Sequence, residues 1–133
     1  MAVQVIIRAN ASNEYRVIVE IAGRQFEVLI DTGFTDPSSQ VGLGLDNNSY
    51  QDISADLQDS LGVGIYPVGA TTPVQVQSGI TAVSIFGLDD SQVLTRVVNA
   101  GENVLGVCFF HQLTDFEVLW DLAQRTLTIR RHR

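Results

Sequence analysis

Two runs of alternating apolar residues, separated by three turn residues, confine the first quarter of this chain to an antiparallel hairpin. Val17, Val19 and Ile21 share one face of the first run, and Phe26, Val28 and Ile30 share one face of the second. This is the two-residue period of a half-buried strand. Ala22-Gly23-Arg24 supplies the turn between residues 15–21 and 25–30. The second run ends in Asp31-Thr32-Gly33.

The same texture recurs down the chain. Residues 63–68 and 73–77 flank a small, exposed tip, Gly69-Ala70-Thr71-Thr72. Residues 80–86 and 92–98 flank a turn at 87–91, and 116–120 and 126–130 flank another at 121–125. A further strand is expected within residues 1–7. Short strands at this spacing predict an all-β barrel or sandwich.

Two segments interrupt the strands. Residues 34–59 carry Pro37, Gly42, Gly44, Asn47 and Asn48 and read as a long polar loop. A short helix is expected over 53–61, where Ile53, Leu57 and Leu61 recur every four residues and Gly62 supplies a stop. Val104-Leu105-Gly106 is followed by a compact apolar segment, 107–113, long enough for two helical turns.

A length of 133 residues fits one domain spanning 1–133. With one Cys, the fold does not rest on an internal disulfide. The formal charge of −7 arises from eight Arg and no Lys against fifteen acidic residues. That balance excludes a nucleic-acid partner, which needs clustered cations. The basic end, Arg130-Arg131-His132-Arg133, reads as frayed and solvated. No apolar run approaches the roughly 20 residues that span a bilayer, so no membrane association is expected. Met1-Ala2-Val3 opens without the basic start and long apolar centre of a signal peptide, and a cytoplasmic location is expected.

One place puts a reactive group at the end of a buried strand and inside a tight turn: Val28-Leu29-Ile30-Asp31-Thr32-Gly33. The apolar run brings the Asp31 carboxylate out beside the core, partly desolvated. Thr32 offers a hydroxyl that locks the turn, and Gly33 permits a close backbone approach. Other carboxylates read as structural. Asp46, Asp89 and Asp90 sit in turns, and Asp121 caps one after Trp120. Cys108 and His111 share a helical spacing, but zinc takes three or four such ligands, so no metal and no cofactor is expected. Cys108 reads as a small buried hydrophobe and His111 as a helix-surface residue. There is no Gly-x-Ser-x-Gly elbow and no phosphate loop.

From about Tyr15 to Ile129 the chain resembles the retropepsin-like aspartic proteases, particularly the small bacterial ones. Asp31-Thr32-Gly33-Phe34-Thr35 resembles their catalytic loop, and the segment 56–62 resembles their short helix after it. The hairpin around Gly69, Ala70, Thr71 and Thr72 lies where the family carries its flap. Val104-Leu105-Gly106 matches the apolar-apolar-Gly motif that passes near the catalytic loop. Asp36 stands where many relatives have Gly, and residues 38–50 form a longer, more polar stretch than theirs. The resemblance implies a closed or partly open β-barrel of the acid protease type with one or two short helices. It also implies catalysis by Asp31, Thr32 and Gly33, substrate contacts from Phe34, Thr35 and the tip at 69–72, and support from Val104, Leu105 and Gly106.

Two facing aspartates are required for this chemistry, and the chain has a single Asp-Thr-Gly. The expected molecule is therefore a homodimer that places Asp31 opposite its symmetry mate and acts on a peptide or protein substrate. Thr32 would bond across the axis, and the terminal strands, 1–7 and 126–130, would interleave between subunits. A second class of function is open: a non-catalytic peptide-binding or dimerisation module on the same fold.

Overall fold

A computed structural model describes residues 3–35, 40–67 and 69–132. Among the described residues, ten strands and two short helices follow one another. They are β1 (Gln4–Arg8), β2 (Arg16–Ile21), β3 (Arg24–Ile30), β4 (Val41–Leu45), α1 (Asn47–Ile53), β5 (Gln58–Ile65), β6 (Val74–Ile85), β7 (Val93–Asn99), β8 (Val104–Leu105), α2 (Val107–Gln112), β9 (Phe116–Asp121) and β10 (Thr126–Arg131).

Seven of the strands form a sheet in the order β2-β3-β8-β4-β7-β6-β5, and β2 also pairs with β6. That extra pairing closes a six-stranded barrel and leaves β5 with β6 as its one partner strand among the described residues. Closure removes all the barrel's free edges except where the β5–β6 hairpin projects. The alternation read in the first hairpin is the alternation observed. Val17, Val19 and Ile21 are buried, as are Val28 and Ile30, while Phe26 is half-buried. Together with Leu43, Leu45, Ile53, Val83, Ile85, Val97, Leu105 and Phe109 they fill the core.

β4 corrects the reading of residues 34–59 as loop. Val41–Leu45 is buried at every position. A strand covered on both faces loses the polar alternation that would betray it. Its glycines, which read as punctuation, are packing features. A Cβ on Gly42 would run into the Thr95 hydroxyl and press on the Phe109 backbone of α2, and one on Gly44 would meet Ala100, Val104 and the Phe34 ring.

The helix expected over 53–61, and the resemblance of 56–62 to a family helix, are corrected too. The helix lies earlier, at Asn47–Ile53, followed by a single 3-10 turn, Ser54–Asp56, and Leu61 belongs to β5. Asp46, read as a solvated turn residue, starts the helix. It is half-buried, and its carboxylate accepts the Ser49 N–H at 2.8 Å. Beyond Gln58 the pull of pairing with β6 outweighs a four-residue apolar repeat. Asp46→Ala is expected to cost about 1 kcal/mol of stability, read as a lower urea midpoint at unchanged slope.

The remaining strands form a second sheet in the order β1-β10-β9. Gln4 pairs with Arg130, and Thr126 with Asp121. The basic end is therefore not frayed as far as it is described. Arg130 is half-buried and donates to Glu117 at 2.6 Å, and the Arg131 guanidinium lies 4.8 Å from the Phe116 ring centroid. Arg133 lies outside the described residues. Within the chain β10 sits between β1 and β9, so both its edges are paired, and the outer edges of β1 and β9 have no partner strand among the described residues. No helix among the described residues is long and apolar enough to cross a membrane.

Candidate active site

Asp31 leaves the end of β3 directly beside β8. β3 and β8 run parallel, with Leu29 opposite Val104 and Ile30 opposite Leu105. β8 then pairs antiparallel with β4. The loop after β3 thus emerges from a three-strand clamp made of segments far apart in sequence. The Asp31 N–H extends the ladder by donating to the Leu105 carbonyl at 3.0 Å. Its carboxylate is held locally: the Gly33 N–H donates to Asp31 Oδ1 at 2.8 Å. The Phe34 N–H donates to the Asp31 carbonyl at 3.1 Å, closing the turn. Asp31 is half-buried, and Thr32 and Gly33 are exposed.

Gly106 is the reason the loop can lie where it does. A Cβ there would collide with the carbonyl oxygen of Phe34 and press on its ring. The Gly106 N–H donates to the Gly42 carbonyl at 2.9 Å, pinning it between β4 and the loop. Val104, Leu105 and Gly106 are all buried. The structure thus brings the two sequence motifs, Asp31-Thr32-Gly33-Phe34 and Val104-Leu105-Gly106, into direct contact.

A cleft of about 220 Å³ opens beside Asp31. It is lined by Asp31 and Thr32, by Gly106, Phe110 and His111 across α2, and by Val118 and Trp120 on β9. Trp120 is 42% exposed and Val118 39%, on the strand face whose neighbours Leu127 and Ile129 are fully buried. Trp120 is steadied edge-on by Tyr15, ring centroids 5.1 Å apart. Sequence reading did not attach Phe110, His111, Val118 or Trp120 to the site. The signal present was a two-residue apolar repeat ending on the single Trp.

A second cleft, about 500 Å³, lies between the β5–β6 hairpin and the turn after β7. Ile65, Pro67 and Val74 line it from the hairpin, and Asn99, Ala100 and Gly101 from below. Ala100 and the Phe34 ring both abut Gly44, so this cleft adjoins the loop that carries Asp31. The tip residues Gly69, Ala70, Thr71 and Thr72 are exposed beyond the stem. Thr35 is exposed after Phe34, and Asp36 lies outside the described residues. A larger cleft, about 530 Å³ between α1 and β5, includes none of these groups. Cys108 is buried and His111 exposed on α2; no cluster of three metal-ligating side chains occurs among the described residues. Asp121 accepts the Gln124 N–H at 3.1 Å, the turn cap its position suggested.

No family model matches the sequence, and no curated protein does. The structure is similar to the crystal structure of a retropepsin-like aspartic protease from Rickettsia conorii, with a TM-score of 0.68 at 15% sequence identity. The match covers 96% of this chain and 90% of that one. The chain therefore has the retropepsin-like fold: a closed six-stranded barrel with two short helices.

Proposed function

We propose that the chain is one half of an aspartic endopeptidase, completed by a second copy that supplies a second Asp31. The observation carrying this reading is the seat of Asp31. A carboxylate at the end of a barrel strand, fixed by the Gly33 N–H on a loop whose Phe34 lies against Gly106, stands half-buried at the mouth of an apolar cleft. A structural Asp-Thr-Gly turn has no need of that setting.

Two carboxyl groups about 3 Å apart cannot both ionise, so the pair shares one proton. The ionised member draws a proton from water as that water attacks the peptide carbonyl. The protonated member hydrogen-bonds the carbonyl oxygen and stabilises the charge that gathers on it. The tetrahedral intermediate collapses as a proton passes to the leaving amine. No covalent intermediate with the enzyme forms.

A two-fold axis through the pair would place Thr32 against its mate and bury the exposed flank of the cleft, Val118 and Trp120 among it. The edges left on β1 and β9 offer the backbone groups for such an interface. An extended peptide would lie between the floor at Asp31 and the hairpin, with Phe34 and Ala100 shaping its pockets.

The test is a peptide library incubated from acidic to neutral pH, with a statine-like peptide as inhibitor. The mimic's hydroxyl occupies the place of the attacking water, so it is expected to bind at least about 100-fold more tightly than the matching amide. Equal affinity for the two, with no cleavage, would leave a peptide-binding module and reject the enzyme.

A further inference from the structure

Arg96 is a buried cation with no part in the chemistry above. It stands on β7 and is 4% exposed. What it holds is the root of the β5–β6 hairpin. Gln58 pairs with Ile80 and Leu61 with Ser78, so Asp59 and Ser60 together oppose Gly79 in a bulge. Asp59 takes φ 52°, the left-handed region that Asp tolerates better than most residues.

A bulge takes carbonyl groups off the ladder, and here one guanidinium and one hydroxyl take them up. Arg96 Nη1 donates to the Asp59 carbonyl at 3.0 Å and to Ser78 Oγ at 2.9 Å. Arg96 Nη2 donates to Asp59 Oδ2 at 3.0 Å. Ser78 Oγ in turn donates to the Leu61 carbonyl at 2.7 Å. The strand is thus gripped on both sides of its irregularity. Toward the tip the situation reverses: from Gly62 to Ile65 β5 pairs with β6 alone. Anchored at the bulge and free beyond it, the hairpin has a defined pivot.

We propose that Arg96 and Asp59 form a positioning clamp: by fixing the bulge they set the angle at which this two-stranded strap stands to the loop that carries Asp31. What the strap bears on rests on the peptidase reading; the clamp itself does not.

Hydrogen exchange on the full chain tests the clamp without reference to catalysis. In Asp59→Ala, amides at 61–65 and 74–77 are expected to exchange at least about tenfold faster, with β2, β3 and β8 unchanged. Asp59→Asn keeps one side-chain acceptor and should restore most of the protection. For peptide hydrolysis, Asp59→Ala should raise KM about tenfold while kcat stays within about twofold, because binding must then order the strap. Hairpin exchange equal to the wild type, or acceleration spread over all strands, overturns the clamp. Faster hairpin exchange with KM unmoved overturns its positioning role. A wild-type chain that cleaves nothing rejects the peptidase reading and leaves the exchange result to decide the clamp alone.

Discussion

Asp31→Asn is expected to abolish peptide hydrolysis, lowering kcat by at least about 10³-fold, while sedimentation and melting temperature stay at their wild-type values. The isosteric amide keeps an oxygen that can accept the Gly33 N–H, so the turn survives. What it loses is the shared proton: a pair of amides can neither take a proton from water nor exist as a singly ionised dyad. The stronger form of the experiment mixes subunits. If each active site takes one Asp31 from each copy, co-expressed wild-type and variant chains pair at random and only the all-wild-type dimers work. An equal mixture should therefore retain about a quarter of the activity per dimer, the square of the wild-type fraction, rather than half. Linear dilution would show that each chain holds a complete site, and full retention would show that Asp31 is a bystander.

Gly106→Ala should be the most damaging single methyl group in the molecule. The added Cβ is directed at the Phe34 carbonyl oxygen, which is backbone and cannot swing aside as a side chain would. Gly106 is itself tied by its N–H to the Gly42 carbonyl, so it cannot retreat either. Overpacking of this kind costs about 2–3 kcal/mol, or roughly 10 °C in melting temperature for a chain of this size. The displaced residue is the third after Asp31, so activity should fall further than the stability loss alone explains. A folded Gly106→Ala protein with unshifted melting and full activity would mean that the loop and β8 are not in the contact described.

Much of this was legible in the sequence wherever pairing is local. β2–β3, β5–β6 and β9–β10 are hairpins whose partners lie within a few residues, and two-residue alternation with Gly or polar turns marks each of them. The Asp31 motif was legible for the same reason, since a buried strand running into a polar turn is a local pattern. β4 was not, because Val41-Gly42-Leu43-Gly44-Leu45 is enclosed on both faces and its glycines serve α2 and Phe34 rather than a turn. α1 was misplaced because its sequence, Asn47–Ile53, is mostly polar and buries only Tyr50 and Ile53. The wall of the cleft was hidden for a different reason. Val118 and Trp120 reach Asp31 only because the β1-β10-β9 sheet packs beside β3 and α2, and no spacing in the chain encodes that approach. Nothing in the strand expected over 92–98 sets Arg96 apart; its meaning depends on a bulge in another strand.

The pairing of Gln4 with Arg130 also bears on when the site comes into being. β1 closes on a partner at the far end of the described residues, and contacts of such long sequence separation form late and slowly in folding. Until then Ile7 has no cover, and the wall that β9 and β10 give to the cleft beside Asp31 is missing. A chain that has closed its barrel but not yet docked this outer sheet therefore holds Asp31 without the Val118, Trp120 and Leu127 wall of its cleft. Pairing of β1 with β10 is then the step that completes the cleft.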